Sequence, residues 1–369
     1  MTPSVTPLET PLPLSHLDTP ALLIDLDVLE GNLQRMATAL IRMGSTIRPH
    51  FKAHRLPEIC RRQVKLGAHG ITCAKLGEAE VLGAMGFDHL LVANEVVGPA
   101  KWQRLARLAL QRDVLVGIDS LEVAEATAAA AREAGSEVGF LVDVNIGMDR
   151  CGAAPGQTAV ELAARCAELR GLRFQGVMGY EGHVVMLTPT EKVAAAREAL
   201  SKLTDTAEQC RAAGLPVRIV SAGGTGCWDI TATQPGITEL QCGTYSMMDL
   251  LFREGAGTRD FDYACTVLGT VISRPLADRA VTDVGKKGLH PSFGMARPLN
   301  LPGAELLALH SEHGILSVQG EGRALKTGDT VRFIPSYLEG TVNLYDRAFA
   351  IRDGLAVEEW AISGRGRSQ

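Results

Sequence analysis

The chain has 369 residues, 46% of them hydrophobic and 21% charged. That is long for one typical domain, comfortable for two, and ordinary for a soluble globular protein. A formal charge of -5 excludes the basic excess of a nucleic-acid surface, and no apolar run reaches the roughly 18 residues of a membrane-spanning helix.

Residues 1–18 are polar and Pro-rich and read as an N-terminal tail. They lack the basic start and apolar core of a signal peptide. ALLIDLD (21–27) reads as a strand and VLEGNLQRMATALIRMG (28–44) as a helix. Strand and helix signals then alternate. The expected strands are IRPHFKA (47–53), GITCA (70–74), HLLVAN (89–94), VLVGID (114–119), VGFLVDV (138–144), FQGVMGY (174–180), VRIVSAG (217–223) and ITELQCG (237–243). Most are short, near-continuous apolar runs, as parallel strands buried on both faces should be. Between them, EVAEATAAAAREAG closes at Gly135, a C-cap glycine. A later helix opens on Thr188 as N-cap, Pro189 at the first helical position and Glu191 as the capping-box partner, and ends at Gly214. This alternation is the arithmetic of a (β/α)8 barrel, with a doubly wound open sheet as the competitor. The barrel is expected over residues 28–250.

Residues 251–369 change texture. YACTVLGTVISRP, RAVTDVG, ELLALHSEHGILSV, DTVRFIPSY and RAFAIRDGLAVEEWAI are β-rich segments separated by turn signals, with no convincing helix between them. They read as a C-terminal all-β domain. The eight cysteines form no CxxC pair and sit in apolar segments. They read as small buried hydrophobes in a reduced, cytoplasmic protein.

The chemistry-bearing residues fall at strand ends. Lys52 in RPHFKAH is expected semi-buried at the C-terminal end of the first barrel strand, where barrels place their active sites. Arg150 in VDVNIGMDRCG follows the 138–144 strand and can bind an anion or a phenolate oxygen. SAGGTG (221–226) and QCGTY (241–245) follow two successive late strands, where barrel phosphate sites often lie. SAGGTG matches neither a dinucleotide fingerprint nor a P-loop. Tyr180 and His183 in GYEGH are candidates for acid–base work. An amine, an arginine, a phosphate cradle and an acid–base pair at one rim are the equipment for pyridoxal 5'-phosphate (PLP).

RPHFKAH, GITCAKLGEAE, ANEVVGP, GMDRCG, GYEGH, SAGGTG and TELQCGTYSMMD, in this order, resemble the D-threonine aldolase / D-serine dehydratase family. These are PLP enzymes of the alanine-racemase fold type. The resemblance extends through EHG (312–314) to VNLYD and SGRG, covering roughly residues 17–365. It implies a PLP-binding (β/α)8 barrel followed by a C-terminal all-β domain, with the 19–27 strand joining the β domain. By matching position Lys52 is the Schiff-base lysine, and Arg150 stands beside the cofactor's phenolic oxygen. Ser221, Gly223, Gly224, Thr225, Gly243, Thr244 and Tyr245 surround the phosphate, and Tyr180 and His183 face the ring or substrate.

One departure concerns a metal. Family members usually carry His-x-Asp or His-x-Cys in the β domain, binding a divalent ion that coordinates the substrate's β-hydroxyl. Here PSYLEG (335–340) places Tyr337 at the histidine position, and a protonated phenol is a poor ligand. Glu339 is the remaining matching ligand position, so no dedicated metal site is expected. PSFG (291–294) differs too: related enzymes tend to carry an Asp before Ser-Gly.

The resemblance implies retro-aldol cleavage of a β-hydroxy-D-amino acid to glycine and an aldehyde, with Tyr337 hydrogen-bonding the β-oxygen. Metal-independent β-elimination, racemisation or carbon-unit transfer at Cα is the alternative. A non-catalytic PLP-binding protein is the alternative of another class. The expected partner is a small amino acid, with no nucleic acid or membrane, in a homodimer whose active site lies near the interface.

Overall fold

The computed structural model of the chain describes residues 5–369. Residues divide into two compact units. Met36–Lys52, Cys60–Gly243 and Arg367–Gln369 form one, and the described residues through Arg35, Ala53–Ile59 and Thr244–Gly366 form the other.

The first unit is a ring of eight parallel strands with helices between them, as the sequence predicts. In chain order the strands are Thr46–Ile47, Ile71–Cys73, Leu90–Glu95, Val114–Ile118, Val138–Asp143, Leu172–Met178, Ile219–Ala222 and Glu239–Leu240. From the second strand on, each pairs with the next, and the last pairs with the first. The first and second meet through a single parallel bridge, His50↔Thr72, with the Thr72 N–H donating to Pro49 O at 2.9 Å. The open doubly wound sheet is thereby excluded. Leu91, Leu115, Leu141 and Met178, from four successive strands, pack together as a buried cluster.

The first strand is shorter than the 47–53 run predicts. It spans Thr46–Ile47, and after the His50 bridge the chain enters a 3-10 turn, Phe51–Ala53. Pro49 is the physical reason, because it has no N–H to give to a ladder. Lys52 therefore sits on a turn just past the strand. The helix Leu121–Ala134 closes as expected at Gly135, whose φ is 72°, with the Ser136 N–H returning to Ala131 O. The helix Pro189–Ala212 begins after Thr188, but the Thr188 hydroxyl bonds the Glu191 carboxylate rather than a backbone N–H. The reciprocal capping box is not formed.

A buried ion pair occupies the seam between first and last strands. Arg48 donates to both Glu239 oxygens at 2.9 and 3.1 Å, with side chains 1% and 3% exposed. Ser221 Oγ donates to Glu239 Oε1 at 2.9 Å, and Arg48 also reaches His89 O.

The second unit holds a ten-stranded sheet. Its main path runs Val5–Pro13, Leu355–Ala361, Arg347–Arg352, Ala21–Asp25, Cys265–Leu276, Arg279–Thr282, Gly314–Val318, Ala304–Leu309. Thr330–Ile334 pairs with Cys265–Leu276, and Arg297–Pro298 pairs with Thr330–Ile334. Pairing is antiparallel except between Arg347–Arg352 and Ala21–Asp25. Residues 1–18, read as a tail, thus contribute an edge strand, Val5–Pro13, on Leu355–Ala361. Its prolines hid it, and an edge is where a sheet tolerates them. The ALLIDLD run ends as a strand at Asp25 and turns directly into the helix Leu26–Met43. Contrary to expectation, short helices do interrupt this region: Leu338–Val342, and the 3-10 helix Gly320–Ala324.

All eight cysteines are free, and seven are buried. Among the described residues no helix is long and apolar enough to cross a membrane.

The seam pair gives a stability prediction. Arg48→Met should destabilise the chain by about 3–5 kcal/mol in urea unfolding, because Glu239 is left charged and buried. Arg48→Met combined with Glu239→Leu should recover most of that loss. Equal losses in the single and double variants would contradict this account.

Candidate active site at the barrel rim

The C-terminal ends of the parallel strands gather most of the residues singled out from the sequence. The Lys52 turn is fastened to the last strand's exit by the His50 N–H, which donates to Cys242 O at 3.0 Å. Lys52, half-buried, therefore stands beside the Cys242-Gly243 turn. That turn and the Gly223-Gly224-Thr225 turn leave neighbouring strands, with Glu239 opposite Ser221 and the Gln241 N–H donating to Ala222 O.

Tyr180 follows the Leu172–Met178 strand. A Cβ built on Gly224 would lie 3.0 Å from its ring carbon Cε2, so the glycine backbone runs directly against the tyrosine. Arg150 places its guanidinium carbon 6.0 Å from the same ring's centroid. His183 lies over Gly147, where a Cβ would come within 2.9 Å of Cε1 and Nε2. Gly147 has φ +125° and belongs to the loop that carries Arg150. One sector of the rim thus holds Arg150, Tyr180, His183 and the Gly224 turn.

Other expected residues are engaged differently. The Ser221 hydroxyl is fully buried and serves the interior, donating to Glu239 and accepting from Gln241 Nε2 at 3.0 Å. The Gly223 N–H turns to Glu181 Oε2 at 3.2 Å. Thr244 and Tyr245 form the 3-10 turn Thr244–Ser246 of the second unit, where the Tyr245 ring packs edge-on against Phe261 at 5.5 Å.

Tyr337 and Glu339 also lie in the second unit. Tyr337 caps the helix Leu338–Val342 and its hydroxyl donates to Glu339 Oε2 at 3.4 Å. The rings of His290 and Phe293 pack edge-on against it at 5.5 and 5.2 Å. Burial first, and then Glu339, push the Tyr337 phenol up to about 12. Beneath the same helix Asp249 accepts the N–H groups of Leu338 and Phe252, each at 2.9 Å, and burial raises it to about 7.

Sequence reasoning missed an acidic group at the rim. Glu95, Asp143 and Cys151 bring their ligand-type atoms within 4.8 Å of one another. Glu95 and Asp143 end their strands, and Cys151 follows Arg150. Burial, and then the Glu95 charge, raise Asp143 to about 7, while Cys151 and Arg150 hold it down. The Cys151 thiol donates to Asp143 at 3.5 Å and is itself pushed up to about 11. The signal was available: both carboxylates fall where strand runs end, in ANEVVGP and VDVNIG.

Known proteins share this architecture. Residues 24–249 match the family described as Alanine racemase, N-terminal domain, and residues 264–351 match the Putative serine dehydratase domain. D-threonine aldolase of an Arthrobacter species is 35% identical over 97% of this chain and 95% of its own length. The chain belongs to the D-threonine aldolase / D-serine dehydratase family. Another relative, 3-hydroxy-D-aspartate aldolase of Paracoccus denitrificans, is 31% identical over 96% of this chain and 93% of its own. The solved D-threonine aldolase from Filomicrobium marinum superposes with a TM-score of 0.94 at 35% identity, covering 98% of this chain and 99% of that one. The barrel and the β unit are therefore those of the family.

The rim acids predict a pH dependence. An acid whose folded pKa exceeds its unfolded value favours the fold at low pH and loses that contribution as pH rises to the folded pKa. For Asp143 the window runs from 3.8 up to about 7. Asp143→Asn should flatten the fall of Tm across this range. An unchanged slope would refute the shifted carboxyl.

Proposed function

We infer that this chain is a PLP-dependent lyase that cleaves the Cα–Cβ bond of a β-hydroxy-D-amino acid, giving glycine and an aldehyde. The observation that carries this reading is the full-length match to D-threonine aldolase, placed on a rim that joins Lys52 to two glycine turns. The residues fit the cofactor. The lysine lies on a turn that is tied through His50 to the Cys242-Gly243 turn, the two glycine turns leave adjacent strands, and any side chain at Gly224 would fill the space against Tyr180. Lys52 would hold the cofactor's aldehyde carbon, and Gly224, Thr225 and Gly243 would hold its phosphate. Tyr180 would lie against the ring, and Arg150 would neutralise the phenolic oxygen. Bound PLP supplies the sink for the electron pair released when the Cα–Cβ bond breaks.

His183, exposed on the rim, is the proposed base that accepts the β-hydroxyl proton. The role proposed for Tyr337, a hydrogen bond to the β-oxygen, needs a protonated phenol, and a pKa pushed up to about 12 supplies one. The same property argues against the divalent metal that the resemblance associates with this position. A protonated phenol bonded to Glu339 leaves one carboxylate where a dedicated site needs several ligands. We therefore propose metal-independent turnover. β-Elimination is the second reading, favoured by the match of residues 264–351 to a serine dehydratase domain.

The purified chain should be yellow, and Lys52→Ala should abolish both the colour and activity. With D-threonine, glycine and acetaldehyde are expected; ammonia and a keto acid would instead establish the second reading. EDTA followed by desalting should leave activity unchanged, and Tyr337→Phe should then lower kcat about a hundredfold. Activity lost to the chelator and restored by manganese, magnesium or zinc would overturn the metal-free assignment.

We also propose a cytoplasmic homodimer, in keeping with eight free cysteines and with the family resemblance. Light scattering at micromolar concentration should give twice the chain mass, and a fully active monomer would contradict it.

A further inference from the structure

Glu181 is fully buried and has no part in the chemistry above. Its two oxygens hold two different elements. Oε2 accepts the Gly223 N–H at 3.2 Å, and Oε1 accepts the Thr231 hydroxyl at 2.5 Å. Gly223 opens the glycine turn after the Ile219–Ala222 strand. Thr231 lies on the short helix Trp228–Ala232 that follows that turn. The turn is also pressed against this threonine, since a Cβ on Gly223 would lie 3.1 Å from Thr231 Cγ2. Burial first, and then the Glu181 charge, raise the thiols of Cys227 and Cys242. These two cysteines border the two glycine turns, so Glu181 sits close to both.

A buried carboxyl is a costly way to fill space that an apolar side chain could occupy. What Glu181 adds is direction: it fixes the Gly223 peptide and ties it to Thr231. Gly223 has φ +87° and no side chain of its own to hold that conformation. We propose that Glu181 is a positioning residue that locks the Gly223–Thr225 turn in the form that receives the phosphate of PLP. This rests on the PLP-binding reading and deepens it by assigning the phosphate recognition to a buried support.

The test compares PLP with pyridoxal, which has the same ring and aldehyde but no phosphate. PLP-stripped full-length protein is titrated with each, following absorbance and fluorescence, for wild type, Glu181→Ala, Glu181→Gln and Thr231→Val. Glu181→Ala and Thr231→Val should raise the PLP Kd by about tenfold or more, with pyridoxal affinity nearly unchanged. Glu181→Gln should retain PLP binding. Its amide oxygen can accept from Gly223 while its NH2 donates to Thr231 Oγ1. Thr231→Val keeps the side-chain volume, so it reports even where Glu181→Ala does not fold. PLP and pyridoxal weakening in parallel, or neither weakening, would overturn the assignment while leaving the PLP-binding reading of the wild type in place. A wild type that takes up no PLP would remove both the assignment and the proposed function.

Discussion

Within the barrel, the buried pair of Arg48 and Glu239 is the constraint on which the rim depends. It spans the junction of the two shortest strands, Thr46–Ile47 and Glu239–Leu240. Such short strands offer few ladder bonds, so their register needs another device. A slip of one residue would leave a charge buried without its partner, which is far more costly than a displaced apolar side chain. The Arg48 N–H to Leu240 O bond at 2.8 Å and the Thr72 hydroxyl on Arg48 O, also 2.8 Å, complete the seam. Each arm then runs to the rim, one to the Lys52 turn and the other to Gly243. Fixing this pair fixes the spacing between those two turns.

The rim's charge balance follows from where strands end. Glu95 and Asp143 finish strands separated by Val114–Ile118, and curvature brings their carboxylates toward each other. Burial, and then the neighbouring Glu95 charge, make the Asp143 carboxylate costly to ionise and raise it above the usual carboxyl range. Arg150 partly offsets them and also approaches the Tyr180 ring, so its position is held from two directions. An arginine there can meet an anionic or phenolic oxygen without collapsing onto the acids alone.

Several features were legible in the chain because they depend on local chemistry. Eight apolar runs announced eight buried parallel strands, and the Gly135 cap and Pro189 start followed from backbone preference. Lys52, Arg150, Tyr180 and His183 stand out as candidates because strand ends in such barrels carry chemistry, and ordered motifs mark the family. The errors were local competitions decided elsewhere. The Val5–Pro13 strand looked like a tail because its prolines speak against pairing, and only the exposed edge of Leu355–Ala361 makes it possible.

The sequence by itself therefore determined the strand–helix alternation, the β-rich second part, the family, and which polar and ionisable side chains follow the strand ends, since all of these reside in composition, spacing and order. Only the tertiary structure decided which backbone and hydroxyl groups remain directed toward the rim. Ser221 turns its hydroxyl inward to Glu239, and Gly223 gives its N–H to Glu181. It also decided that Glu95, Asp143 and Cys151 meet, although they are distant in the chain. The reason is that a hydrogen bond or a pKa depends on a partner within a few ångströms, and closing the ring of strands is what brings those partners together.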